Sequence, residues 1–318
     1  MQPDVAIVIV SFHSLEDIVR CLAALEKSSW RHFRVVICEN GGETAYRKLQ
    51  ARLPTQMKDG QPVELLKAPD NLGYGGGINF SLDHTAPADL YWILNPDTEP
   101  AHQALESMLA RLNLGDCAVI GHDLVLADGC LASSGGQWRP WTARAISLNK
   151  GKPRGPQADT QALENSINYI IGASMLITRG FYERVGKMRE DYFLYCEEVE
   201  WCLRAIRKGE KLGYAPGAVV LHAQGTATGG GGALRTRSKT AIYLSERNRI
   251  LLTRDVFPGH LVFAAPLSLL HLLIKYGKAG AWRQSGYAIS GWLAGLRDER
   301  GKPQWLENGV TDSHDRPT

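Results

Sequence analysis

Four apolar runs, VAIVIVSF (residues 5 to 12), FRVVICEN (33 to 40), VELLKAP (63 to 69) and LYWILN (90 to 95), recur through the first hundred residues. The first is β-branched and lacks the polar-apolar alternation of a half-exposed strand, which marks a strand covered on both faces. It is followed by HSLEDIVRCLAALEKS, in which Leu15, Ile18, Val19, Leu22 and Leu25 share one helical face, and a second helix is expected around residues 43 to 53. Strands buried on both faces and separated by helices predict an α/β fold with one Rossmann-like, mostly parallel sheet. Ligands bind such sheets at the carboxyl ends of the strands, so polar residues there are the first candidates for function.

Past a helix near 101 to 112, the strand CAVIGH (117 to 122) leads into a Gly, Ser, Trp and Pro-rich stretch, 128 to 158, read as a surface excursion. YIIGASMLITRGFYERVG (169 to 186) hands a strand over to a helix, and LGYAPGAVVLHA (212 to 223) is read as a last strand pair. Between them CEEVEWCLRAIRKG (196 to 209) is a helix closed by Arg207, Lys208 and Gly209. TATGGGGALRTR (226 to 237) is expected to be a mobile loop, because consecutive glycines pin nothing. The chain thus divides into a sheet domain, 1 to 230, and a basic, partly apolar helical region, 231 to 318. Arg235, Arg237, Lys239, Arg247, Arg249 and Arg254 crowd the start of that region, and LVFAAPLSLLHLLIKYG (261 to 277) is apolar but broken by Pro266.

A formal net charge of +3 is too small to mark a nucleic-acid binder. Six scattered cysteines without a CxxC pair indicate neither a disulfide framework nor structural zinc, so a reducing cytosol is the expected setting. MQPDVAIVIVSFHSLEDIV has no basic n-region or small-residue cleavage site, and its apolar run is far short of the roughly 20 residues of a membrane span, so it is read as a strand.

Four groups of reactive or polar residues fall at strand ends. In YWILNPDTEP, Asn95 and Asp97 form either a plain turn or a cation site, since Mg2+ or Mn2+ is commonly held by one or two carboxylates plus substrate phosphate oxygens. Glu39 and Asn40 close the second strand. In NLGYGGGINF, residues Asn71, Gly73, Gly75, Gly76, Gly77 and Asn79 make either a tight turn or a glycine-rich cradle before a helix, suited to a phosphate. The first strand runs into SFHSLED with no glycine, which argues against a nicotinamide or flavin dinucleotide enzyme. Last come Glu197, Glu198 and Glu200, with His222, a structural histidine or a nitrogen ligand, on a later strand. Helical neighbours lie about 100° apart, so the three glutamates cannot face one way, and Glu200 is placed to pair with Arg204.

VAIVIVSFHS, ENGG, NLGYGGGIN, LNPDTEP, GASMLITRGFYERVG, FLYCEEVEWCLRAIRKG and APGAVVLHAQG, in that order over about residues 4 to 226, resemble the family 2 inverting glycosyltransferases. The likeness is strongest to the rhamnosyltransferase-like branch of bacterial polysaccharide synthesis. The resemblance implies a nucleotide-sugar transferase A-type (GT-A) fold and a divalent cation, Mn2+ or Mg2+. It implies a donor site including Ser11, Glu39 and Asn40, with Glu39 on the base or ribose where the family usually has aspartate. Asn71, Gly73, Gly77 and Asn79 would line the diphosphate and sugar. Asn95 and Asp97 stand where many relatives carry Asp-x-Asp, which leaves Asp97 as the one carboxylate ligand, with His222 completing the metal site. CEEVEW corresponds to aromatic-Glu-Asp-x-Asp, so the catalytic base falls on Glu198, with Glu197 as second choice, and either reaches one methylene further than an aspartate. Arg247, in an Arg-Asn pair, would neutralise diphosphate.

The implied reaction is displacement with inversion at the anomeric carbon of TDP-rhamnose or a UDP-sugar, by a hydroxyl of a glycan or polyprenyl-diphosphate-linked acceptor, in cell-surface or exopolysaccharide synthesis. Glu198 in place of aspartate and a single carboxylate at Asp97 also admit a binding module of the same fold that holds nucleotide sugar or glycan without turnover. The apolar run 261 to 274 is flanked by Arg254, Lys275, Lys278 and Arg283 and followed by Trp282, Tyr287 and Trp292. It is read either as helices lying on the inner face of the cytoplasmic membrane, making the protein cytoplasmic and peripheral, or as a subdomain packed on the core or in a homodimer contact.

Overall fold

The computed structural model describes residues 2–155, 159–223 and 233–307. The first elements follow the expected alternation: β1 (Val5–Ser11), α1 (Leu15–Leu25), β2 (Phe33–Glu39), α2 (Glu43–Arg52), β3 (Val63–Lys67), α3 (Gly73–His84) and β4 (Leu90–Leu94). Every residue of β1 is buried. Val5, Ile7 and Ile9 enter an apolar cluster with Ile18, Leu22 and Leu25 of α1, whereas Ala6, Val8 and Val10 enter the opposite one with Ile78 and Leu82 of α3. Covering both faces is why the run tolerates no polar position, and each fully buried Val or Ile contributes about 1.5–3 kcal/mol.

The second half comprises β5 (Thr98–Pro100), α4 (Ala104–Leu112), β6 (Val119–Val125), β7 (Leu131–Ser133), β8 (Gly136–Arg139), β9 (Arg144–Ser147), α5 (Thr160–Ser166), β10 (Ser174–Thr178), α6 (Arg179–Val185), α7 (Glu197–Arg207) and β11 (Leu212–His222). The sheet runs β3-β2-β1-β4-β10-β6-β11-β5, with β7 beside β6. It is parallel from β3 to β4; β10 is antiparallel to both its neighbours, and β5 is antiparallel to β11.

Three expectations are corrected. LGYAPGAVVLHA is one strand, β11, whose register slips between Ala215 and Val219, because Pro216 has no N–H for the ladder and a bulge absorbs it. The stretch 128 to 158 is more than a surface excursion: it holds β7 and the β8–β9 pair, and Trp138 is buried in the same cluster as Trp201. Strands of three or four residues are too short to show a period, which is why the sequence reads there as loop. The apolar run near 261 is not broken either, since α9 (Leu261–Lys278) continues through Pro266. Proline removes one helical donor, and the carbonyl it leaves, on Val262, belongs to a residue 75% exposed. The glycine run expected to be a mobile loop lies, through Gly232, outside the described residues.

α8 (Lys239–Val256), α9, α10 (Trp282–Leu296) and α11 (Gln304–Glu307) complete the chain. Ile250, Leu251, Leu252, Val256, Ala264 and Ala265 share a cluster with Val10 and Ile93 of the sheet. α8 and α10 approach closely, since a Cβ on Gly295 would lie 2.6 Å from the Arg247 carbonyl. Arg300 bonds Asp255 and Asp191, and Tyr192 donates to Asp255 (2.8 Å), so the segment after α10 is tied to the segment preceding α7.

Candidate active site

At the carboxyl end of β4 the Asn95 N–H donates to the Ala173 carbonyl (2.9 Å), and Thr98 Oγ1 donates to the Asn95 carbonyl (2.6 Å). The Asn95–Thr98 segment is therefore the turn its sequence suggests. It feeds β5, whose register opposite β11 pairs Thr98 with His222. That pairing sets His222 Nε2 3.4 Å from Asp97 Oδ1, with side chains 12% and 8% exposed. An imidazole nitrogen beside a carboxylate oxygen is a donor set that suits a Mn2+-type ion. Among the described residues no group of three His, Cys, Asp or Glu could hold a metal. The pair fits a cation only if further oxygens come from elsewhere, such as a diphosphate.

The second half of the site is the start of α7. The loop before it places three non-glycine residues, Phe193, Tyr195 and Cys196, at φ of 66°, 76° and 74°. Each such residue costs on the order of 1–3 kcal/mol and persists only where its surroundings enforce it. Here Asn248 enforces it, donating to the carbonyls of Tyr192, Leu194 and Tyr195 at 2.8, 2.7 and 2.9 Å. Arg247 helps: it donates to the Tyr192 carbonyl (2.9 Å), the Gly301 carbonyl (2.8 Å) and Asn248 Oδ1 (2.9 Å). With Arg247 1% exposed and bonded to these acceptors, the expected diphosphate contact is corrected: its guanidinium satisfies carbonyls of the loop. The Asn of the same pair, overlooked in the sequence, carries more of that task. Asn248→Ala is expected to lose about 1–3 kcal/mol of stability, read as a fall in the urea midpoint, because the inward carbonyls of Leu194 and Tyr195 lose this donor.

The loop delivers two glutamates. Glu197 is 0% exposed and neither of its oxygens has a well-formed hydrogen bond. Burial, and then the charge of Glu198, push its pKa up to about 8. Glu198 is partly exposed, packs on Gly172, and is also raised by burial. Glu200 pairs with Arg204 at 2.9 Å, as the i,i+4 spacing predicts. An acid whose folded pKa is raised stabilises the fold below its unfolded pKa, near 4.5, and loses that contribution as pH rises toward 8. Stability is therefore expected to fall over that window, and Glu197→Gln to flatten the fall in melting temperature measured against pH.

Tyr74 connects the two halves. Its hydroxyl donates to the Gly172 carbonyl (2.5 Å), and its pKa is raised well above the usual value by burial and then by Glu198, Glu197 and Asp97. It therefore stands within the field of the Asp97 carboxylate and of both glutamates. Its sequence signal is an aromatic residue set inside a glycine run at a strand end.

The other expected donor residues are mostly internal. The Glu39 carboxylate accepts from Ser11 Oγ (2.5 Å), the His13 N–H (3.3 Å) and the Gly41 N–H (2.7 Å), and both Glu39 and Ser11 are fully buried. It braces the loops after β1 and β2, and at their mouth Phe12 is exposed with its ring edge-on to His13. Asn40 donates to the Gly73 carbonyl (2.7 Å), while its Oδ1 is buried without a partner. Asn71 accepts from the Gly73 N–H (3.1 Å). The glycines are corrected from a pre-helical cradle to part of α3 itself. Gly73, at φ 74°, lets the Phe193 carbonyl approach, and Gly77 seats α3 on the sheet, since a Cβ there would meet Val10 at 2.7 Å. Asn79, expected on the diphosphate, instead clamps Met188, donating to its carbonyl (2.9 Å) and accepting its N–H (3.0 Å).

A sheet parallel on one side and mixed on the other, with a carboxylate and a histidine joined at its carboxyl edge, is the GT-A fold of glycosyltransferases. The mannosyltransferase PcManGT of Pyrobaculum calidifontis, solved with GDP-Man and Mn2+, is similar with a TM-score of 0.56 at 15% identity, over 94% of this chain and 88% of that one. GalNAc-T7, solved with UDP, GalNAc and Mn2+, gives a TM-score of 0.62 at 12% identity, over 97% of this chain and 56% of that one. Residues 6–186 match Glycosyl transferase family 2, and the chain belongs to that family and is a glycosyltransferase. It is 23% identical to the low-salt glycan biosynthesis hexosyltransferase Agl10 of Haloferax volcanii, over 96% of this chain and 94% of the relative. It is 26% identical to the N-acetylglucosaminyl-diphospho-decaprenol L-rhamnosyltransferase of Mycobacterium tuberculosis, over 76% of this chain and 84% of the relative.

Proposed function

We propose that the protein is an inverting transferase of the rhamnosyltransferase-like branch, moving a sugar, rhamnose first among the candidates, from TDP-rhamnose or a UDP-sugar to a hydroxyl of a lipid-linked or oligosaccharide acceptor in surface polysaccharide synthesis. The observation that carries this reading is the Asp97–His222 pair at 3.4 Å in one site with Tyr74 and Glu198. Asp97 and His222 would hold a divalent cation, which neutralises charge growing on the leaving nucleotide diphosphate. Glu198, partly exposed, accepts the proton of the attacking hydroxyl, and its raised pKa brings it nearer the working pH of a base. Tyr74 anchors the carbonyl of Gly172, the residue on which the Glu198 side chain packs. Phe12 and His13 offer the exposed ring pair for a base, with Glu39 bracing the loop from behind. A panel of nucleotide sugars in Mn2+ tests the donor: TDP-rhamnose is expected to raise the melting temperature most, because a ligand of the native state stabilises by RT ln(1 + [L]/Kd). A larger shift with UDP-GlcNAc and none with TDP-rhamnose would move the protein out of the rhamnosyl branch.

The same reading places the protein on the inner face of the cytoplasmic membrane. Ala264, Ala265, Ser268, Leu272 and Tyr276 form the buried stripe of α9, and Val262, Phe263, Leu267, Leu270, Leu273 and Ile274 stand exposed on the rest. Residues Pro258–Lys278 are long and apolar enough to cross a bilayer by length and composition. The buried stripe ties the helix to α8 and α10, which favours lying in the interface plane over spanning. Trp141, from the stretch between β8 and β9, stacks edge-on with His260 beside Phe263 and extends this face. Phe263→Glu with Leu270→Glu is expected to cut sedimentation with anionic vesicles by about tenfold or more; unchanged sedimentation would favour the packed-subdomain or homodimer reading.

A further inference from the structure

Between α8 and α9, next to Tyr195, lies a pocket of about 200 Å³ lined by Tyr195, Arg237, Glu246, Arg249, Lys275 and Tyr276. Three cations face one carboxylate there. Glu246 is engaged by Arg249, at 2.9 Å from both oxygens, and lies 4.0 Å from Lys275. Arg237 makes no ion pair among the described residues, and its buried Nε has no hydrogen-bond partner. Arg144, from β9, adds its charge to the field on Lys275, whose pKa is lowered first by burial and, against Glu246, by Arg249, Arg237 and Arg144. Such a cluster is costly while empty and is relieved by an anion.

We propose that this pocket binds the diphosphate of a prenyl-diphosphate-linked acceptor. The inference rests on the lipid-linked reading above and deepens it. Two features select this ligand over a free anion. Lys275 and Tyr276 stand on the same helix as the exposed apolar residues from Val262 to Ile274, so a prenyl chain attached to an anion in the pocket has an apolar surface to follow. Cys196 and Tyr169 each lie within electrostatic reach of both Arg249 and Glu198, so the pocket and the candidate base share these neighbours. A sugar joined to the diphosphate would then start in the neighbourhood of Glu198.

The test is calorimetric titration of farnesyl diphosphate into the full-length protein saturated with TDP and Mn2+, so that the donor site is filled. One equivalent is expected to bind, and Arg237→Gln and Lys275→Met are each expected to weaken it by about tenfold or more. Lys278→Met, on the same helix outside the pocket, is expected to bind as wild type does, and each variant's melting temperature reports folding. Affinity unchanged in both pocket variants overturns the proposal, as does farnesol binding as tightly as farnesyl diphosphate, or inorganic pyrophosphate doing so. If neither TDP nor UDP binds in the first step, the donor reading falls, while the farnesyl diphosphate arms still read the pocket.

Discussion

On the proposed reading, in which Glu198 meets the acceptor, Glu198→Gln is expected to lower kcat by about 10²–10⁴-fold, the usual worth of a positioned general base, with donor KM little changed. The amide is isosteric and keeps the start of α7 packed on Gly172, so the loss reports proton transfer. Glu198→Asp restores the residue usual in the family but on a backbone built for glutamate. A carboxylate drawn back by about 1 Å is expected to cost roughly 100-fold, leaving this variant between wild type and Gln. The pH profile supplies a second readout. Burial raises the Glu198 pKa, so activity is expected to fall, as pH drops, at a value above that of an ordinary glutamate, and that acid limb should vanish in Glu198→Gln. Should Glu197→Gln abolish turnover and Glu198→Gln preserve it, the base is Glu197.

Asp97→Asn is the second large effect. It leaves the Asn95–Thr98 turn intact, since the bonds that close it use backbone and Thr98, and it removes the one carboxylate beside His222. Turnover is expected to fall by about 10²–10³-fold, the scale of losing one group aimed at developing charge. With a neutral amide at Asn95 in place of a second acid, the unliganded protein should bind Mn2+ weakly. Nucleotide diphosphate is expected to tighten Mn2+ binding, and Mn2+ to tighten nucleotide by the same factor, as linkage requires. Titration of Mn2+ with and without TDP checks both statements; tight binding of the bare ion would show that the pair is a better site than its two donors suggest.

The sheet was legible because VAIVIVSF and LYWILN are apolar on both faces, a pattern that few other environments explain. Asp97, His222 and Glu198 were legible as residue types at strand and helix ends. What brought Asp97 and His222 together, the antiparallel register of β5 on β11, was not, because a three-residue strand has no period. Asn79 and Arg247 share an ambiguity that sequence leaves open. Polar side chains near a site can serve substrate or backbone, and only the structure shows that theirs are bonded to the Met188 backbone and to the carbonyls of Tyr192 and Gly301. Tyr74 is hidden in the sequence by the glycines around it, whose pattern says nothing of the Gly172 carbonyl that its hydroxyl meets.

The clamp on the loop before α7 has a consequence for how the enzyme comes into being. Arg247 leans on the Gly301 carbonyl, and Arg300 ties Asp191 to Asp255, so the geometry of Glu198 depends on residues near the end of the chain. During synthesis the start of α7 is not clamped until about residue 301 has left the ribosome. The position of Glu198 is thus expected to be set only after the apolar helix α9 has been synthesised.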